Sequence, residues 1–326
     1  MLYTPLHSPQ AMHIPDGFLS GLVLAVCWGI SALVIVVAFI RVKRDMDERK
    51  VPLMGVVAAA IFAGQMLNFP VAAGTSGHLL GAALATILLG PWAAVLVMTI
   101  VVSAQALIFQ DGGIAALGAN LFNMAVIGVF VSYTVYRAVQ RLSKGAKWGI
   151  FVGGFLAAWT SIFIASLAAA LELAFSATSP ANLAVPAMAL VHSVIGIGEG
   201  LITVGALAFV YAVRPDLVRT TDQKQVGGKA VWVAGLLIAI ALAVASPLAS
   251  ANPDGLEFVA EEQGFIEKAQ ANPYDIIPDY VMPGIADESA ATIAAGILGV
   301  IVVFFVAIGV AYLRRNRATS SASSGS

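Results

Sequence analysis

The chain is written as long apolar segments set between short stretches of charge, Gly or Pro. The segments run over about 18–40, 52–69, 78–89, 92–109, 114–136, 148–172, 185–213, 230–250 and 291–313. A helix that crosses a bilayer needs roughly 20 apolar residues, with ~17–25 tolerated, and only 78–89 is plainly short. The pattern predicts an all-α polytopic membrane protein of about nine transmembrane helices. Gly90-Pro91 marks a tight break between the third and fourth. A single re-entrant hairpin there leaves the sidedness of every other segment unchanged.

The polar stretches set that sidedness. With the N-terminus outside, the inner loops hold Arg41, Lys43, Arg44, Arg49 and Lys50, then Arg137, Arg141, Lys144 and Lys147. Arg214, Arg219, Lys224 and Lys229 follow, and Arg314, Arg315 and Arg317 close the series. Of the 17 Lys and Arg, only Lys268 lies outside, the asymmetry of the positive-inside rule. The expected topology is N-terminus out and C-terminus in the cytoplasm. The polar linker 214–229, with Gly227-Gly228, divides a seven-helix module (12–213) from a two-helix module (230–317). The outer loop of the second module, 251–290, carries nine of the 18 acidic residues, Asp254 and Glu257 among them. Such a loop gathers cations or gates their loading, or is simply a solvated linker. Pro273, Pro278 and Pro283 oppose a long helix in its second half. The Ser-rich end, 318–326, is expected to be a disordered tail.

Composition removes other classes. Hydrophobic residues are 60% of the chain, charged residues 11%, and the mean hydropathy is +0.91, far from a soluble domain. The single cysteine, Cys27, lies in an apolar run and excludes a disulfide framework or thiolate cluster. The one Gly-Lys pair, Gly228-Lys229, has Gln223 where a phosphate-binding loop needs its first glycine, so the chain hydrolyses no ATP itself. There is no HExxH helix. The reading is a transport subunit, not an enzyme.

Candidate chemistry begins at Met12-His13-Ile14-Pro15-Asp16-Gly17. If translation starts at Met12, the free amine, the His13 amide nitrogen and its imidazole Nδ1 close two fused chelate rings. Three coplanar nitrogens suit Ni(II) and Cu(II). Residues Met1 to Ala11 have no Lys or Arg and no apolar core, so they are no secretory signal. They are an unused upstream start or a real extension; Met12 is the favoured start. With the extension in place Met12 offers only a peptide nitrogen, and His7 would have to substitute.

His78, in Gly74-Thr75-Ser76-Gly77-His78, is the candidate fourth nitrogen ligand. The ~12 residues from there to Gly90 span roughly 18 Å as helix, less than the hydrocarbon core, so His78 is expected below the surface, facing a cavity. An interfacial histidine bonded to backbone or water is the plain alternative. His192, Gly196 and Glu199 share a helical face. Glu199 is expected to support ligands rather than to bind metal, pairing with His192, Asn120, Gln65 or a partner subunit. Asp16, Gln65, Asn68, Ser76 and Asn120 are candidates for lining or supporting the site, while Gln105 and Asn123 suit bonding between helices. Ala59 and Ala63 form a small-xxx-small pair open either to a partner helix or to internal packing.

These motifs carry a resemblance. Met12 to Phe18, Gln65-Met66-Leu67-Asn68-Phe69-Pro70, Gly74 to Leu79, Gly90-Pro91-Trp92, Asp111-Gly112-Gly113, Gly118-Ala119-Asn120 and Ile197-Gly198-Glu199-Gly200 resemble the CbiM/NikM family over about 12–213. Asn252-Pro253-Asp254-Gly255-Leu256-Glu257 resembles the NikN-type PDGLE module, giving a fused arrangement. The resemblance implies a prokaryotic inner-membrane substrate component of an energy-coupling factor transporter, with no resident cofactor and Ni(II) or Co(II) as cargo. It implies a square plane of the Met12 amine, the His13 amide and imidazole, and the His78 imidazole. Implied partners are a transmembrane coupling subunit, cytoplasmic ATPases and the lipid bilayer, with no nucleic acid. An autonomous channel or secondary carrier and a non-transporting metal sensor are the alternatives.

Overall fold

A computed structural model describes residues 12–45, 50–218 and 229–323. Helix α1 (Gly21–Asp45) leaves Leu22, Val26, Leu33 and Val36 exposed, surface that suits lipid chains rather than water. After α2 (Lys50–Gln65) come a two-residue hairpin, β1 (Phe69–Pro70) antiparallel to β2 (Ser76–Gly77), then α3 (Ala82–Leu89) and α4 (Pro91–Ala104). Helix α4 ends in a π-turn, Gln105–Phe109. Helix α5 (Leu117–Leu121) runs through a second π-turn, Phe122–Ile127, into α6 (Gly128–Leu142). Helices α7 (Lys147–Phe175) and α8 (Ala181–Val213) form a long antiparallel pair. The second part has α9 (Lys229–Val244), α10 (Gly255–Glu262) and α11 (Glu288–Ser323).

Among the described residues, six helical runs are long and apolar enough to cross a membrane: Gly21–Val42, Pro91–Phe109, Leu117–Leu142, Lys147–Phe175, Ala181–Val213 and Glu288–Tyr312. Val51–Gln65 and Trp232–Val244 are shorter apolar helices. The segment expected at 78–89 differs most. Its helix begins only at Ala82 and has eight residues, about 12 Å, so it cannot span alone. The chain enters it from the hairpin. It leaves through Gly90 at φ +84°, a conformation glycine adopts without strain, with Pro91 set at the first turn of α4. The expected tail also changes: α11 continues to Ser323, with no Gly or Pro between Val310 and Ser323 to stop it. Residues 1–11, most of the linker 214–229 and 324–326 lie outside the described residues.

Helices α9 and α11 pack on α2. The contact is close because glycines receive bulky side chains. A Cβ at Gly55 would come within 2.8 Å of Ile308, and those at Gly235 and Gly299 would collide with Val56 and Phe62. Ala59 and Ala63 are 0% exposed in this same core, which corrects the idea of a partner-binding stripe. The small residues of α2 are used up inside the chain.

Candidate metal centre

Four segments converge at one end of the bundle. The first is the arm before α1, and its backbone is held by side chains. Asn120 grips the Ile14 peptide at two points, accepting from its N–H at 3.0 Å and donating to its C=O at 3.0 Å. Asp16 accepts from the N–H groups of Ile114 (3.1 Å), Ala115 (3.3 Å) and Ala116 (2.8 Å), anchoring the arm to the loop that leads into α5. His13, directly ahead of these anchors and 4% exposed, has Nδ1 at 2.9 Å from Asp111 Oδ1, while its buried Nε2 has no hydrogen-bond partner.

The second segment carries His78. Its following residues are clamped from both sides: Glu199 accepts from the N–H of Leu80 (2.7 Å) and Gly81 (3.0 Å), and Gln65 Nε2 donates to Leu80 O (2.8 Å). Glu199 therefore does not meet His192, Asn120 or a partner. It fixes the backbone two residues beyond His78, because an irregular segment at this depth has N–H groups that water does not reach. His78 Nδ1 faces Leu79 O at 3.1 Å, its ring lies edge-on to that of His13 with centroids 5.5 Å apart, and the Met12 main chain is a hydrogen-bond neighbour.

The third and fourth segments come from the second module. Ser76 donates its N–H to Pro253 O (2.8 Å) and its hydroxyl to Asn252 O (2.8 Å), stitching the PDGLE turn to the His78 segment. Asp254, 4% exposed, caps α10 by accepting from Glu257 N (2.8 Å) and brings Oδ2 to 3.9 Å from His78 Nε2. Gly255 lies against the His192 ring, whose Nδ1 faces Met188 O at 2.9 Å. Farther along, Tyr280 stacks on Phe109 and donates its hydroxyl to Asp111 Oδ2 at 2.6 Å.

The electrostatics follow from burial and these pairs. Burial disfavours charge on His13, but the Asp111 carboxylate prevails and raises its pKa above the ordinary value. Burial works against the Asp111 charge as well, and the His13 charge with hydrogen bonds from His13 and Tyr280 keeps its pKa low. Burial and the neighbouring His13 lower His78 to about 4, so it is a neutral donor at pH 7. Burial pushes Asp254 up to about 8 despite the Glu257 N–H, and lifts Glu257 to about 7.

His13, His78, His192, Asn120 and Asp254 all line one cavity of about 80 Å³. Ser76, Asp16 and Gln65 support its walls from behind, and Asn68 with Glu257 faces a larger outer space. Among the described residues no three His, Cys, Asp or Glu side chains are gathered closely enough to hold an ion by themselves. A metal here needs main-chain donors as well. Closing a ring through His13 Nδ1 requires that nitrogen to leave Asp111. Asp111 and Tyr280 were not foreseen as site residues. Asp111 had a signal, a carboxylate before Gly112-Gly113 in an apolar stretch, whereas Tyr280 had none.

Known proteins resemble this chain in sequence and fold. A family model described as the cobalt uptake substrate-specific transmembrane region (CbiM) matches residues 13–217, and a PDGLE domain model matches 229–316. A protein of Archaeoglobus fulgidus, provisionally named a fused nickel transport protein NikMN, is 40% identical over 94% of this chain and 99% of its own length. The fused nickel transport protein NikMN of Rhodobacter capsulatus is 36% identical over 64% of each chain, and the cobalt transport protein CbiM of Sorangium cellulosum 35% identical over 64% of this chain and 94% of its own. A crystal structure of a truncated transition metal transporter superposes with a TM-score of 0.56 at 37% identity, over 61% of this chain and 98% of that one.

Proposed function

The chain belongs to the CbiM family of cobalt-uptake transmembrane proteins and carries a PDGLE domain, and from that premise we propose that it captures Ni(II) or Co(II) for import. It acts as the substrate component of an energy-coupling factor transporter in a prokaryotic inner membrane. A transmembrane coupling subunit and cytoplasmic ATPases supply the work that this chain, without a phosphate-binding loop, does not. The chain is two membrane modules, 12–213 and 230–317, joined by a cytoplasmic linker, with the N-terminus and the 251–290 loop outside; the Lys and Arg distribution supports this sidedness.

The observation that carries the reading is the pair of imidazoles, buried His13 and partly buried His78, edge-on at 5.5 Å over a cavity. With Met12 as the first residue, its amine, the His13 amide and imidazole nitrogens and His78 Nε2 make a four-nitrogen square plane. Deprotonating the amide demands a strongly polarising ion, which selects Ni(II), Co(II) and Cu(II) over Mg(II) and Ca(II).

The test is the intact mass of the natively expressed protein, with Ni(II) and Co(II) titrations of purified chains starting at Met12 and at Met1. A Met12 terminus binding one ion, abolished by His13→Ala and by His78→Ala, supports the chelate. A native Met1 terminus that still binds overturns the amine ligand. Uptake by the chain alone in vesicles would favour an autonomous carrier.

A further inference from the structure

Two spaces meet at the outer end of the molecule. The inner one is the imidazole cavity of about 80 Å³. The outer one, about 400 Å³, is lined by the carboxylates of Asp254, Glu257, Asp279 and Glu288 together with Tyr280 and Asn68. Only Met12 and Asp254 line both. A carboxylate therefore stands in the doorway between an acidic vestibule and the buried histidines.

We propose that Asp254 and His78 form a receiving pair, which takes an incoming divalent transition-metal ion from the vestibule before the main-chain nitrogens close on it. The proposal rests on the metal-capture reading above and adds to it the residue through which the cargo arrives.

Three observations lead there. Asp254 spends Oδ1 on the α10 cap and keeps Oδ2 for the cavity, 3.9 Å from His78 Nε2. Two neighbouring donors on a six-coordinate aquo ion at ~2.1 Å stand roughly 3.0 Å apart, so the pair has to close by about 1 Å, within reach of a side-chain torsion. A second imidazole lines the same cavity: His13, whose buried Nε2 has no hydrogen-bond partner. And the carboxylate is held in place, since Ser76 bonds both residues that precede it and Gly255 is wedged on His192.

The chemistry orders the steps. Asp254 gives up its carboxyl proton to water as it and one imidazole displace two waters from an aquo ion, with the other coordination positions still wet. Nitrogen donors hold Ni(II) and Co(II) more firmly than a carboxylate does. The ion therefore passes on to the nitrogen square, and Asp254 is released as the carboxylic acid, taking up a proton that the closing nitrogens give off. A capping role alone leaves Oδ2 unexplained, and it is separable, because Asn caps a helix as well as Asp does.

The experiment compares the full chain starting at Met12 with its Asp254→Asn and Glu257→Gln variants, mixing each with NiCl2 in a stopped-flow instrument and following the Ni(II) absorption bands. Melting temperature reports whether the cap survives. Asp254→Asn is expected to slow association about tenfold, with the final spectrum and the melting temperature of the parent, while Glu257→Gln slows it much less. An unchanged association rate in Asp254→Asn overturns the proposal, whatever happens to affinity. So does an equal slowing in Glu257→Gln, which would make the effect the general charge of the vestibule. Failure of the underlying reading shows separately, as His13→Ala retaining equilibrium Ni(II) binding.

Discussion

Replacing Glu199 tests whether the clamp on the His78 segment is what makes the site. The carboxyl is 0% exposed and takes two backbone N–H groups, at 2.7 and 3.0 Å, while Gln65 holds the carbonyl of the same Leu80. Glu199→Gln keeps one acceptor oxygen and turns an amide N–H₂ toward the other donor. One buried N–H is then left unsatisfied, at about 1–3 kcal/mol, and Glu199→Ala leaves two, at about 2–6 kcal/mol. The segment can escape that cost only by pulling Leu80 and Gly81 away, which carries His78 off its place beside His13. Loss of a partner that orients a metal ligand typically lowers affinity about 10–100-fold, so Ni(II) titration of Glu199→Gln should fall in that range. Thermal melting in detergent should fall as well, and more for Glu199→Ala. Adding Gln65→Ala to either variant should cost less than it does in the parent, because both side chains hold one peptide. A Glu199→Gln protein that binds Ni(II) within about twofold of the parent would refute the clamp argument.

Three further outcomes follow from the geometry. Asn120→Ala removes both bonds to the Ile14 peptide and should weaken Ni(II) binding about tenfold with a modest loss of melting temperature. Gly112 sits at φ +99° with a Cβ position 2.9 Å from His13 Cβ, so Gly112→Ala should abolish binding; Gly74, at φ +81° with nothing within 4 Å, should on change to Ala lose only about 1–2 kcal/mol of stability and bind normally. Binding should weaken as pH falls. The raised pKa of His13 means the Asp111 pair stabilises the fold at low pH and fades as pH rises through the His13 value, while the ion needs that imidazole deprotonated. Calorimetry in buffers of different ionisation heat should accordingly show more protons released by the chain starting at Met12 than by the chain starting at Met1.

The histidines could be read from the sequence because each sits in a setting that apolar segments do not otherwise tolerate: His13 directly ahead of a membrane run, His78 among glycines in a segment too short to span. The family and the fusion were legible for the same reason, in polar motifs that interrupt apolar blocks. Hydropathy could not say where the third helix starts. Leu79, Leu80 and Gly81 count as apolar, yet their backbone is drawn out of the helix by Glu199 and Gln65 from two other helices. Nor could it say which way Ala59 and Ala63 face, since a stripe of small residues serves a partner helix and an internal one alike. The structure gives them to α2's own core.

The roles that sequence could not assign are those set by pairs far apart along the chain. Tyr280 matters because it donates to Asp111, and Asp111 because it holds His13; Ser76 matters because it receives the chain just before Asp254. Together these links tie the second module to the segments that carry His13 and His78. Two separate chains would have to keep these short bonds across an interface whose order depends on their concentration. Fusion keeps the vestibule, the doorway carboxylate and the imidazoles in one cooperative unit, since shifting α11 on α2 means displacing Phe62 from the space at Gly299, and Phe62 packs with Phe109 against Tyr280. The packing that holds the modules together is thus also the packing that sets the tyrosine behind Asp111, and the second module is part of the proposed metal centre rather than an accessory to it.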